Sequence, residues 1–145
     1  MARILVVEDE GPTRSLVHIV LETLMGHEVR EATNVSEAIG VLQEWTPHVV
    51  VTDVRLPDAT GTALGGLVRD DPRFQATELL YLTAYDLPQT RRGESVLRKP
   101  FDLQDLESTV GELAERASEL ERVSEGGQEA GQGEEAPWME RWTLH

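Results

Sequence analysis

Three short apolar runs bounded by polar residues punctuate the chain, at residues 4–7, 49–51 and 79–82. A parallel strand covered on both faces reads this way, without the alternation of a half-exposed strand. Between the first two runs, Leu16, Ile19, Val20 and Leu24 recur at helical spacing, opened by Pro12 at a first-turn position and closed by Gly26. Residues 27–32 read as a short strand. Asn34 and Glu37 then stand in cap and third-position spacing ahead of Ala38, Ile39, Val41 and Leu42, and Pro47 stops that helix. A third helix is expected over residues 62–69, weakened by Gly65 and Gly66, and a fifth strand over 95–98. Asp102 is placed to cap a long helix whose apolar positions Leu103, Leu106, Val110, Leu113 and Leu120 run toward Arg122.

Strand and helix alternate throughout this stretch, which predicts right-handed crossovers and an α/β fold: an open, doubly wound parallel sheet with helices on both faces. Residues 124–136 are Gly, Gln and Glu with almost no apolar content, too little to bury a core of their own. The expected division is therefore a domain over residues 1–122 and a flexible acidic tail over 123–145. The tail ends in Pro137, Trp138, Met139, Glu140, Arg141, Trp142, Thr143, Leu144 and His145, which hold two of the three tryptophans; a docking peptide, a segment folding back onto the domain and sequence not native to the protein are open readings.

Composition narrows the chemistry. A length of 145 residues suits one core, and 13 Lys plus Arg against 27 Asp plus Glu give a formal net charge of -14. Nucleic-acid backbones and anionic membranes would be repelled on average, so neither is an expected partner. The absence of cysteine excludes disulfides, thiolate metal sites and a thiol nucleophile. Four histidines are too few for an imidazole cage, and His18, His27 and His48 are read as surface or packing residues. No apolar run approaches the roughly 20 residues of a membrane-spanning helix, and the N-terminal apolar stretch is too short for a signal peptide, so a cytoplasmic location is expected.

Ligands of a doubly wound sheet sit at the carboxyl ends of its strands. Glu8, Asp9 and Glu10 follow the first strand and Asp53 follows the third, so carboxylates distant in sequence would meet at one edge. Two unit charges about 4 Å apart interact by roughly 4 kcal/mol at an effective dielectric near 20, so such a cluster calls for a cation or a raised pKa. Oxygen donors without thiol or imidazole favour Mg²⁺ or Mn²⁺, which points to phosphoryl chemistry. Thr83 after the fourth strand offers a hydroxyl, and Lys99 after the fifth offers a compact positive charge. Asp53 is then the candidate carboxylate nucleophile. Lys99 and the metal would neutralise the transferring group, and Thr83 would hydrogen-bond the acyl phosphate.

The segments Ile4-Leu5-Val6-Val7-Glu8-Asp9-Glu10, Thr52-Asp53-Val54-Arg55-Leu56-Pro57-Asp58-Ala59-Thr60-Gly61, Leu82-Thr83-Ala84 and Lys99-Pro100-Phe101 together resemble the receiver domains of two-component response regulators. The resemblance covers Met1 to about Arg122. It implies a five-stranded flavodoxin-like domain that accepts phosphate on Asp53 from a histidine kinase or phosphotransfer protein and then switches its binding to a downstream protein, with a second copy of the chain as a further candidate partner. It also implies Glu8 and Asp9 as the acid pair, with Asp9 the closer metal ligand and Glu8 acting mainly through water. The backbone carbonyl of Arg55 would complete the metal shell, and Lys99-Pro100 would be a cis peptide.

Three features depart from that pattern. Receivers usually carry Tyr or Phe three residues before the Lys, where this chain has Val96; a β-branched aliphatic side chain has little rotameric choice and cannot act as the usual aromatic switch. Only residues 84–98 separate Thr83 from Lys99, and Pro88, Arg91, Arg92 and Gly93 among them make a poor helix, so the fourth helix is expected to be shortened or irregular. Arg55 and Tyr85 stand two residues after Asp53 and Thr83; both are bulky and are expected to screen the acyl phosphate from water. Two rival readings stay open: a receiver-like scaffold acting through constitutive contacts, and an aspartate-nucleophile phosphohydrolase. The latter needs a second Asp where Arg55 stands.

Overall fold

The computed structural model describes residues 1–84 and 91–127, with only the backbone for 124–127. Five parallel strands form one sheet in the order β2-β1-β3-β4-β5: β1 (Arg3–Val7), β2 (Glu28–Ala32), β3 (Val49–Asp53), β4 (Glu78–Thr83) and β5 (Glu94–Arg98). The expected runs sit at its centre, where β1 and β4 are buried along almost their whole length. Both faces of these strands meet helices, which explains why they carry no polar alternation.

The helices divide between the two faces. On one side, α1 (Gly11–His18) with its π-helical continuation (Ile19–Leu24) and α4 (Leu103–Gly127) set Val17, Val20, Leu21, Leu106, Val110 and Leu113 against Ile4, Val6, Val49, Val51, Leu80 and Leu82. On the other, α2 (Val35–Leu42) and α3 (Gly61–Asp70) bring Ala38, Leu42, Leu64 and Val68 onto Leu5, Val7, Val50 and Leu79. Each fully buried Leu or Ile contributes roughly 1.5–3 kcal/mol relative to exposure, so two such layers hold the sheet from both sides.

Local punctuation follows the sequence. Glu37 N donates to Asn34 Oδ1 at 2.7 Å, and the Glu37 carboxylate accepts from Thr33 N at 2.8 Å, so the end of α2 is satisfied twice. Gln104 N and Asp105 N donate to Asp102 Oδ1 at the start of α4, as expected. Helix α3 forms despite its paired glycines, and at Gly65 the reason is packing: a Cβ there would overlap the Tyr81 hydroxyl of β4.

Several expectations are corrected. Of the four positions that recur at helical spacing in the first helix, only Val20 is buried; Leu16, Ile19 and Leu24 are 44%, 53% and 64% exposed. The run from Leu16 to Leu24 is apolar on nearly all sides, and the helix turns π-helical at Ile19, which changes the residue spacing that selects a face. Leu103 and Leu120 of α4 are also surface positions, while Ala114 and Ala117 join the core. That helix runs to Gly127, five residues past the expected domain end at Arg122. In the connection from β4 to β5, the described residues 84 and 91–93 contain no helix; Tyr85 and the tail beyond residue 127 lie outside the described residues.

Candidate functional site

The strand order sets β1 and β3 side by side and β4 next to β3, so the residues after their carboxyl ends converge by topology alone. Register pairs Val7 with Thr52, Asp53 with Leu82 and Thr83 with Arg98, which lines up Glu8, Asp53, Thr83 and Lys99 along one edge. Carboxylate oxygens of Glu8, Asp9 and Asp53 lie within 4.8 Å of one another. Across from them Lys99 Nζ donates to Asp53 Oδ2 at 3.1 Å and to Glu8 Oε1 at 3.2 Å. The Lys99-Pro100 bond is cis, as the resemblance implied.

Burial grades the three acids. Glu8 is 1% exposed, Asp53 is half-buried and Asp9 is open to solvent. Desolvation pushes the Glu8 carboxyl above its ordinary range, with the Asp53 charge adding to it, against the opposing pull of the Glu10 N–H and Lys99. Burial alone would lower Lys99, but its hydrogen bond to Asp53 and the charges of Glu8 and Asp53 hold the ammonium above its ordinary value. The lysine therefore stays charged beside an acid whose charged form burial disfavours.

The backbone fixes each group. Glu8 Oε2 accepts from Glu10 N at 3.2 Å, and Arg14 donates to the Glu8 carbonyl at 2.9 Å, which pins the turn leaving β1. Thr52 Oγ1 donates to the Asp53 carbonyl at 2.9 Å. Arg55 N lies 3.4 Å from Asp53 Oδ1, and the Arg55 side chain is exposed. Lys99 N donates to the Thr83 carbonyl at 2.8 Å, tying the two strand ends together, and Thr83 is 2% exposed. Val96, at the position where an aromatic residue was expected to be missing, lies half-buried in β5 opposite Tyr81.

Two contributors escaped sequence reasoning. The Gly61 N–H donates to Val54 O at 2.7 Å and a Cβ there would overlap the Asp53 carbonyl oxygen, so only glycine lets α3 start this close to the site. Arg14 could have been found as a cation four residues beyond the acidic turn, on the helix that the turn opens.

The donor set fits a hard divalent cation. It is all oxygen, it includes three carboxylates against one ammonium, and its members are close enough to share an ion. Glu8, Asp9 and Asp53 are the side chains that would hold one.

Comparison with known proteins agrees with this arrangement. The family model of the response regulator receiver domain matches residues 4–111. Response regulator Rre1 of Synechocystis is 34% identical over 119 residues, covering 78% of this chain and 52% of its own, so the chain spans about half the length of that relative. Among solved structures, the chemotaxis response regulator CheY4 of Vibrio cholerae superposes with a TM-score of 0.71 at 29% identity, covering 78% of this chain and 98% of its own. The response regulator TrrA of Thermotoga maritima, solved in complex with Mg²⁺-BeF, gives 0.67 at 29% identity, covering 78% and 99%. With a family match across most of its length, a five-stranded parallel sheet and the acidic edge described above, the chain belongs to the receiver-domain family of two-component response regulators.

Proposed function

We propose that this receiver takes a phosphoryl group on Asp53 from a phosphohistidine of a kinase or phosphotransfer protein, with Mg²⁺ held by Glu8, Asp9, Asp53 and the carbonyl of Arg55. An Asp53 carboxylate oxygen forms the new O–P bond as the N–P bond of the donor breaks, and the imidazole leaves with the bonding pair. The single observation that carries the reading is the reach of Lys99 Nζ to both Asp53 and Glu8, at 3.1 and 3.2 Å, beside a third carboxylate.

Each group has a task in this scheme. Lys99 neutralises charge on the transferred group, and its ammonium is already held protonated. Thr83 supplies a hydroxyl to the acyl phosphate, and Arg55 shields it from water. The cation, when bound, screens the acids from one another and from the incoming phosphoryl oxygens. No other chemistry is assigned to the chain: it catalyses only its own phosphorylation and dephosphorylation, in the cytoplasm, and its output is altered affinity for a downstream protein. Arg55 in place of a second Asp argues against a turnover phosphohydrolase.

Incubation with a small phosphodonor and Mg²⁺, followed by intact-mass measurement, tests the reading. The unaltered chain gains the mass of one phosphoryl group, whereas Asp53→Asn and the magnesium-free sample gain none. Equal labelling of Asp53→Asn would move the phosphoacceptor elsewhere.

A further inference from the structure

The loop from β3 to α3 carries the Arg55 carbonyl, and it is fastened at both its base and its tip. At the base Arg55 bridges to Thr60 and Gly61 N donates to Val54 O. At the tip the side chain of the exposed Asp58 reaches α2: Val35 N donates to Asp58 Oδ1 and Ser36 N to Asp58 Oδ2, both at 2.9 Å. One carboxylate thus satisfies the first two N–H groups of α2, an element more than 20 residues away, at the end where the helix dipole favours negative charge. The Asn34 cap serves a different donor, Glu37 N. Removal of water from Asp58 would raise its pKa, but the Val35 and Ser36 bonds, together with the N–H groups of Asp58 and Ala59, hold the carboxyl below its ordinary value, so the clamp is made by the carboxylate.

We infer that Asp58 is a positioning residue that holds the metal-binding loop against the first turn of α2, so that occupation of the cation site and order at the α2 N-terminus are coupled. The inference rests on the proposed cation site and deepens it. If the carbonyl of Arg55 contributes to the ion only while the loop is clamped, the cation binds the clamped state more tightly. Linkage then requires the ion to tighten the clamp by the same factor. Val35 and Ser36 sit on a surface helix, so this route carries the state of the site to a face of the domain distant from Val96.

The test is a magnesium titration of the full chain followed by backbone amide NMR, with exchange rates of the Val35 and Ser36 amides measured in the free and saturated protein. Saturation slows exchange at these two amides. Asp58→Ala weakens magnesium binding by about tenfold, the lower end of what loss of an outer support costs a metal site. Asp58→Asn, which keeps one carbonyl acceptor, falls between. Asn34→Ala is the control, because it loosens the same helix end without touching the loop; it lowers the melting temperature and leaves magnesium affinity within about twofold of the unaltered chain. Unchanged affinity in Asp58→Ala overturns the coupling while leaving the cation site intact, and so does an equal loss in Asn34→Ala, which would mark a general effect of fraying α2. Failure of the unaltered chain to bind magnesium overturns the site itself and the coupling with it.

Discussion

Charged side chains gather at both ends of the sheet, but they are balanced at one end and unbalanced at the other. At the amino end Arg3 pairs with Glu121 at 3.1 Å, Arg116 pairs with Glu78 at 3.1 Å, and His48 joins the Arg3 backbone N–H to the Glu121 carboxylate. Every one of these acids faces a cation or a ring nitrogen. At the carboxyl end the ammonium of Lys99 pairs with Glu8 and Asp53, and Asp9 adds a third carboxylate beside them. Paired charges fix the start of β1 and the end of α4; the uncompensated set leaves free energy to be gained by a ligand that brings positive charge. The contrast lies in stoichiometry, because the residue types are nearly the same.

The most damaging way to disturb the unbalanced end is through its backbone. Gly61→Ala forces a methyl into the Asp53 carbonyl and is expected to cost about 3 kcal/mol, read as a lower urea midpoint, together with loss of phosphoryl uptake. A methyl added at Gly40, which has open space around it, provides the harmless comparison.

A gentler probe separates two histidines near the balanced end and the flank of the sheet. Burial alone would lower His18, but its contacts with Glu31 and Glu22 outweigh that and raise it above 6.5. His27 is lowered from 6.5, first by burial and then by the N-terminal ammonium and His48, and its Nδ1 accepts from Ala2 N. The folded state binds the extra proton at His18 between 6.5 and its raised value, so that stabilisation is complete below 6.5 and is lost as pH rises through the interval. At His27 the unfolded state binds the extra proton, so stability falls as pH drops from 6.5 through the lowered value. NMR titration should place the two rings on opposite sides of 6.5, and His18→Gln and His27→Gln should each flatten one side of the stability profile by about 0.5 kcal/mol.

Much of this was legible in the sequence for specific reasons. The central strands announced themselves because burial on both faces removes alternation, and Asp53, Thr83 and Lys99 could be grouped because each stands at the carboxyl end of a strand in a fold whose loops converge. The inner face of α1 could not be read, since Leu16, Val17, Ile19, Val20, Leu21 and Leu24 offer apolar residues on almost every side and only the sheet chooses among them. Gly61 and Asp58 were also hidden. The work of the first depends on how closely α3 approaches Asp53, and that of the second on a contact with α2 that no local spacing encodes.

The central claim is that the acidic edge is incomplete without a divalent cation, and thermal unfolding with and without magnesium addresses it directly. At roughly ten times its dissociation constant magnesium should stabilise the unaltered chain by about 1.4 kcal/mol. Asp53→Asn should melt higher than the unaltered chain in chelator and lose most of the magnesium response, whereas Glu121→Gln at the balanced end should melt lower and keep the response in full. A melting temperature of the unaltered chain that ignores magnesium, or an equal magnesium shift in Asp53→Asn, would contradict the account.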